Sequence, residues 1–327
     1  MKAVILAGGK GTRLDPLTRE IPKPLVSVLN EPVVNYTVRL LAQYGVKETA
    51  VTLQHLPEAV IDSLNRDFPT SEFFYFIEDE PLGTAGGVKN VEKFLDDTFI
   101  VISGDALTDL NIERMLSFHR GNRADVTIAC KSVPDPSKFG AVCCDSIGRI
   151  YDFREKPALG ACDSKLVSGG IYIIEPDILK SIPKNAPYDF ARGLFPDMLE
   201  RGMRLFAYSM QEYWCDIGSV YTYFQANLDM LAATGRSVYA APDCTVGAGA
   251  ALDGTVVCSG AHVGAGADLR NCIVLAGAEA ATGERLRDCI VGKDFTIGLE
   301  NWNGAGEREP APSATEEKII PFTMAQG

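Results

Sequence analysis

Between positions 246 and 297 the chain repeats itself at a short, fixed interval. Val246-Gly247 returns as Val263-Gly264 and, after Ala280-Ala281, as Ile297-Gly298; Leu252, Leu269 and Leu286 keep the same step, as do Val256, Ile273 and Ile290. β-branched residues alternating with small ones at so short a period bury their apolar face only by stacking on the next copy. The reading is a β-solenoid of about three coils, near the minimum for stability. Composition changes at the same place, since past Gly235 the chain turns to Ala, Gly, Val and Cys. The expected division is therefore 1–235, then 236–299 as 17-residue coils, then 300–327. That last stretch is rich in Glu, Pro, Ala and Gly and reads as a poorly packed tail, with Ile319-Ile320-Pro321-Phe322 its one run able to dock.

The part of the chain before Gly235 follows a different rule. Val4–Ala7 is a short apolar run that suits a buried parallel strand. Helical spacing over Pro32–Tyr44 stops at Gly45; a strand over Glu48–Leu53, a helix over Glu58–Asn65 and a strand over Phe73–Ile77 follow. Further strands are expected at Thr98–Ile102, Asp125–Cys130, Ala141–Cys144, Arg149–Phe153 and Arg204–Ser209, and helices at Asn111–His119 and Ser219–Leu231. Such alternation implies an α/β fold whose mostly parallel sheet carries helices on both faces. Ligands of these sheets sit beyond the carboxyl ends of the strands.

At that place the chain concentrates glycine and positive charge. The Val4–Ala7 run breaks into Gly8, Gly9 and Gly11, whose backbone can turn sharply and offer successive N–H groups to an anion. Lys10, Arg13, Arg19 and Lys23 add cations, although the whole 327-residue chain carries a formal charge of −12. The segment reads as a polyphosphate cradle. It is not a Walker loop, because Lys10 is followed by Gly11 rather than Ser or Thr. It is not a dinucleotide fingerprint either, because Leu14 stands where the third glycine or alanine belongs.

The acidity argues against nucleic acid and anionic membranes as partners. Nine cysteines, an odd number with no Cys-x-x-Cys pair, argue against a structural zinc and a disulfide framework, and they read mostly as small buried hydrophobes. No leader pattern precedes the first strand and no apolar run reaches spanning length, so a cytoplasmic setting is expected.

Other candidates lie further along. Glu80-Pro-Leu-Gly-Thr-Ala-Gly-Gly87 is a second glycine-rich turn leading into a helix near Ala85. Asp105 follows the Thr98–Ile102 strand, where a carboxylate points into the ligand crevice or caps the turn; Asp109 suits the cap of the next helix better. Asp216 is either a ligand-facing carboxylate or the cap of the Ser219–Leu231 helix. Glu155-Lys156 would ordinarily be a solvated pair.

Three linked blocks, Gly8–Leu14, Pro16–Thr18 and Pro22–Leu25, resemble the signature of the sugar-1-phosphate nucleotidylyltransferases (NDP-sugar pyrophosphorylases), and the likeness runs through residues 1–235 in the family's order. It implies a Rossmann-like domain followed by a short C-terminal left-handed β-helix that commonly mediates oligomer contacts. It further implies an Mg²⁺-dependent enzyme that makes an NDP-sugar and pyrophosphate from an NTP and a sugar 1-phosphate. By this resemblance Leu6, Ala7, Gly8, Gly9, Gly11, Thr12, Arg13, Lys23, Glu80, Pro81, Gly83, Thr84 and Gly104 line the nucleotide. Arg13 and Lys23 act on the phosphates; Gly140, Glu155, Lys156, Ser168 and Gly169 hold the sugar phosphate; Asp105 and Asp216 hold the metal.

Among branches, Pro-Leu-Gly-Thr-Ala-Gly, Pro-Ser-Lys-Phe-Gly, Glu-Lys-Pro and Trp-Cys-Asp-Ile-Gly resemble the mannose-1-phosphate guanylyltransferases most, which implies GTP and mannose 1-phosphate. Glucose-1-phosphate thymidylyl- or uridylyltransferase is the second expectation. Ser168 departs from the family's Asn, a residue that offers both an amide donor and a carbonyl acceptor. A different class, a non-catalytic nucleotide-sensing subunit, would be free to lose Lys23, Asp105, Lys156 and Asp216, and all four are present.

Overall fold

A computed structural model describes residues 1–299 except 159, 161 and 163. The tail expected at 300–327 and its apolar run at 319–322 lie outside the described residues. The chain forms two compact bodies, Met1–Lys10 with Val34–Trp214, and Gly11–Val33 with Cys215 onward.

The first body is built on a nine-stranded sheet. Its strands are β1 (Ala3–Leu6), β2 (Glu48–Leu53), β3 (Glu72–Ile77), β4 (Phe99–Ser103), β5 (Val126–Ser132), β6 (Gly140–Cys144), β7 (Ile150–Glu155), β8 (Leu166–Ile174) and β9 (Leu205–Ser209). The order is β7-β6-β8-β4-β1-β2-β3, with β5 also paired to β8 and β9 to β5. β1 runs parallel to β2 and β4, β2 to β3, and β5 to β9. β8 lies antiparallel to β4, β5 and β6, and β7 antiparallel to β6, so these two strands oppose the other seven. The sheet is mostly parallel, as expected, with a reversed strand near its middle.

Burial explains the sequence pattern. Ala3, Val4 and Ile5 in β1 and Phe99–Ile102 in β4 have no solvent exposure, and a strand covered on both faces has no polar side to alternate with. β3 at the sheet edge has no fully buried residue and leaves Phe74 and Ile77, on opposite faces, exposed. Helices α1 (Val33–Gln43), α2 (Pro57–Asp67), α3 (Gly83–Asn90), α4 (Ile112–Gly121) and α5 (Phe195–Glu200) follow the strands. The core gathers aromatic rings around β8: Phe195 lies 5.2 Å from Phe153, 5.3 Å from Tyr172 and 5.6 Å from Phe190 between centroids. α3 starts at Gly83, two residues before the expected Ala85 and within the usual spread of helix ends. One expectation is corrected. The cap of α4 is Asn111, which accepts from the Arg114 amide at 2.9 Å, whereas the Asp109 carboxylate accepts from the Tyr213 amide at 2.7 Å.

In the second body, α6 (Val220–Ala233) precedes a stack of short parallel strands. Leu252, Leu269 and Leu286 pair in sequence, as do Val256, Ile273 and Ile290, and Val246, Val263 and Ala280. Each ladder therefore carries the offset of the sequence repeat. Val263, Leu269, Ile273, Ala280 and Ile290 are fully buried inside it. The fourth repeat mark behaves differently: Thr296–Gly298 turns back and pairs antiparallel with Arg285–Val291, setting Ile297 opposite Ile290 instead of on Ala280. Segment 11–33 belongs to this body. Its Ser27 carbonyl accepts from the Tyr223 hydroxyl (2.9 Å), its Leu29 amide donates to Asn227 Oδ1 (3.0 Å) and its Asn30 Oδ1 accepts from the Ser259 amide (2.9 Å). Among the described residues no helix is long and apolar enough to cross a membrane.

Candidate active site

The register of the sheet assembles one edge of the first body. β1 and β4 end together, with the Gly104 amide donating to the Leu6 carbonyl at 2.9 Å and the Ala7 amide to the Thr52 carbonyl at 3.0 Å. Gly8, Gly9 and Lys10 leave that edge with Gly9 and Lys10 exposed, and half-buried Asp105 leaves it beside them. Because β8 is reversed, its beginning lies at the same edge. Ile171 pairs with Ile102, Gly170 sits against Ser103 Oγ, and Ser168 and Gly169 precede them. One strand over, Val167 pairs with Ala141, and Glu155 pairs with Gly140. The Lys156 amide donates to the Phe139 carbonyl at 2.8 Å, with Lys156 in the left-handed region at φ 47°. Leu6–Gly9, Gly104, Asp105, Gly140, Glu155, Lys156, Ser168 and Gly169 thus line one continuous edge, although Leu6 and Ser168 stand far apart in the sequence.

Two side chains at this edge, Trp214 and Tyr172, were given no role from the sequence. The Trp214 indole donates to the Gly169 carbonyl at 2.9 Å and meets Phe139 edge-on with centroids 5.6 Å apart. That aromatic pair forms an apolar wall of the kind a sugar ring packs against. The available signal was Trp214 itself, one of two tryptophans in the chain and close before Asp216. The Ser168 hydroxyl lies 3.4 Å from the Tyr172 hydroxyl and 3.4 Å from the Gly170 amide. Burial pushes the Tyr172 phenol up to about 12, so it stays protonated and can donate to Ser168.

The second glycine turn is held from within. Thr84 Oγ1 donates to Asp189 Oδ1 at 3.2 Å and accepts from the Phe190 amide at 3.0 Å, while the Thr84 amide donates to the same carboxylate at 3.1 Å. Gly83 has φ +72° and a side chain there would press on the Tyr188 carbonyl at 2.9 Å, so both conformation and space require glycine. Glu80 and Pro81 stand exposed ahead of it. The Glu78 carboxylate accepts from the Leu82 amide at 2.9 Å; burial raises its pKa, and that hydrogen bond partly offsets the rise.

The remaining candidates lie in the second body. Gly11, at φ +67°, closes against Lys23 and Thr18, its carbonyl accepting from Thr18 Oγ1 at 2.8 Å. Thr12 and Arg13 follow, both exposed, in the Thr12–Leu14 turn. The Arg13 guanidinium and the Asp216 carboxylate both flank Gly218. Arg19 is set apart from the expected cation cluster by its ion pair with Asp15, at 2.8 and 3.0 Å. Asp216 is not a helix cap: α6 is capped by Ser219, whose hydroxyl accepts from the Thr222 amide at 3.2 Å in a reciprocal capping box.

All nine cysteines are free thiols; Cys130, Cys258, Cys272 and Cys289 are buried and five are half-buried. Burial is thus less general than the composition suggested. Among the described residues no group of three or more His, Cys, Asp or Glu side chains is placed to hold a metal. Any metal here would rest on one or two carboxylates plus ligand oxygens, a donor set that suits Mg²⁺.

A glycine turn, a carboxylate and a Glu-Lys pair on one strand-end edge define a phosphate-handling α/β protein. Residues 2–233 match the nucleotidyl transferase family, and the chain belongs to it. It is 40% identical over 242 residues to a UTP–glucose-1-phosphate uridylyltransferase of Synechocystis sp., covering 69% of this chain and 62% of the relative. It is 34% identical over 233 residues to a mannose-1-phosphate guanylyltransferase of Mycobacterium tuberculosis, covering 70% and 64%. The chain therefore spans somewhat under two thirds of these relatives' length. Among solved structures, HddC from Yersinia pseudotuberculosis complexed with GMP-PN is similar at TM-score 0.60 and 29% identity, covering 69% of this chain and 97% of that one.

Proposed function

We propose that the protein is a sugar-1-phosphate nucleotidylyltransferase that converts an NTP and a sugar 1-phosphate into an NDP-sugar and pyrophosphate. The observation that carries this is the convergence, on one edge, of the Leu6–Gly9 turn and the Gly140–Glu155–Lys156–Ser168 wall. One side suits a nucleoside triphosphate and the other a phosphorylated sugar.

In this reading an oxygen of the sugar phosphate attacks the α-phosphorus while the bond to the β-phosphate oxygen breaks, its electron pair leaving with pyrophosphate. The phosphate nucleophile has a second pKa near 6, so it is largely dianionic at neutral pH and needs no protein base. His119 fits this, being buried between Thr127 Oγ1 (2.8 Å) and Glu175 (3.0 Å) rather than offered to a ligand. Positioning and cationic charge then carry the catalysis. Lys156 receives the incoming phosphate, Lys23 the α-phosphate, and Arg13 with the Gly8–Gly11 amides the leaving pyrophosphate. Mg²⁺, when bound, neutralises phosphate charge; Asp105 and Asp216 are the residues that would hold it, and neither is used as a helix cap.

GTP with mannose 1-phosphate is the proposed pair, on the motif likeness and the guanylyltransferase relative at 34% identity. UTP with glucose 1-phosphate is the second, favoured by the uridylyltransferase relative at 40% identity. The parallel stack is read as a left-handed β-helix through which copies associate. A matrix of NTPs against sugar 1-phosphates, scored by pyrophosphate release, tests the assignment. The expected maximum is at GTP and mannose 1-phosphate; a maximum at UTP and glucose 1-phosphate transfers it to the second pair, and silence in every cell refutes the enzymatic reading.

A further inference from the structure

Cys143 and Cys162 bring their sulfurs to 3.6 Å in the first body, both half-buried. Cys143 lies in β6, across from Asp152 of β7. Cys162 lies in the connection that leaves β7 at Lys156 and enters β8 at Leu166. That connection is already stitched to β6: Ser164 Oγ donates to the Val142 carbonyl at 2.5 Å, and the Leu166 amide donates to Ser164 Oγ at 3.1 Å. Its two ends are Glu155-Lys156 and Leu166–Gly169, the proposed sugar-phosphate wall.

We infer that Cys143 and Cys162 are a reversible oxidation site, and that a disulfide between them ties the approach to β8 onto β6 and alters sugar 1-phosphate binding. The second half rests on the function proposed above. A bonded pair of sulfurs stands about 2.05 Å apart, so the two sulfurs must close by roughly 1.5 Å from their 3.6 Å separation. With a peroxide as oxidant the chemistry balances. One thiolate attacks the peroxide oxygen, the O–O bond breaks, and sulfenic acid and hydroxide form. The second thiol then displaces the sulfenic oxygen, which leaves as water once protonated, and the S–S bond closes. Burial and the neighbouring sulfur push the Cys143 thiol up to about 11, which keeps it mostly protonated at neutral pH.

The chain holds its own comparison. Cys272 and Cys289 also stand 3.6 Å apart, but both are buried, on neighbouring coils of the stack. Equal sulfur spacing with unequal access should give unequal oxidation.

The test treats the folded protein with hydrogen peroxide, blocks remaining thiols, and maps cross-linked peptides by mass spectrometry. The expected result is a Cys143–Cys162 peptide lighter by two hydrogens, restored by dithiothreitol and absent from Cys162→Ser, with Cys272 and Cys289 still blocked as thiols. Oxidation should also change KM for the sugar 1-phosphate by roughly tenfold while leaving KM for the NTP in place, since displacements near 1 Å at a reacting site cost up to about a hundredfold. Oxidation of Cys144 or Cys215 with no Cys143–Cys162 link overturns the site. A mapped link with both KM values unchanged overturns its effect on binding. Failure of every substrate pair would instead strike the proposed function, because the peptide map needs no turnover.

Discussion

The two bodies solve the burial problem in opposite ways. The first closes large rings around a reversed strand, so that Phe153, Tyr172, Phe190 and Phe195 interlock at a single place. The second repeats a modest contact, with Val256, Ile273 and Ile290 each seated on the next. An irregular core concentrates its energy in a few side chains; a stack divides it among many similar ones. The irregular body is also the one that can present unlike groups along one edge, because unlike strands meet there.

The sharpest test of that contrast is chemical. Asp105→Asn should lower the rate of pyrophosphate release by about a hundredfold to a thousandfold, the usual cost of losing one electrostatic contact to a transition state. Its thermal melt should stay in place. Unchanged turnover would separate Asp105 from the reaction.

Packing comes next. Phe195→Ala should destabilise by about 3–5 kcal/mol, whereas Ile273→Val in the stack should cost about 0.5–1.5 kcal/mol, both measured by denaturant unfolding. Equal losses would erase the distinction between the bodies. Ser219→Ala removes half of the capping box on α6 and should cost about 1 kcal/mol, with Ser219→Gly costing less.

The smallest effect is a pH dependence confined to the first body. Desolvation lowers the His119 pKa below its ordinary 6.5, more than the hydrogen bond to Glu175 raises it. The unfolded chain therefore binds the proton more readily. The contribution is complete above about pH 6.5 and is lost as pH falls through the lowered folded value. The denaturant midpoint of the parent chain should drop between pH 7 and 5, and His119→Gln should flatten that drop.

Much of this was legible in the residues. Val4–Ala7 and Thr98–Ile102 read as buried strands because nothing polar interrupts their apolar runs, and the recurrence past Val246 read as stacked solenoid coils because each copy repeats the same chemistry; the structure shows those copies paired as parallel ladders. What failed to show depended on distant partners. The reversal of β8 is set by its pairing with β4, β5 and β6, and no local pattern distinguishes direction in a strand buried on both sides. Asp109 looked like a cap by position, yet Asn111, one step before α4, was better placed to take that amide. Within the candidate site the glycine turns and Glu155-Lys156 were readable as motifs. The Trp214–Phe139 wall was not, because its two halves come from distant parts of the chain and meet only through the folded sheet.

The returning strand at Thr296–Gly298 has a consequence for growth. A ladder whose rungs all point one way offers its last rung as a template, and a neighbouring molecule could extend it indefinitely into a fibre. By laying a rung of opposite polarity on Cys289–Val291, the chain replaces that stretch of the template with its own reversed backbone.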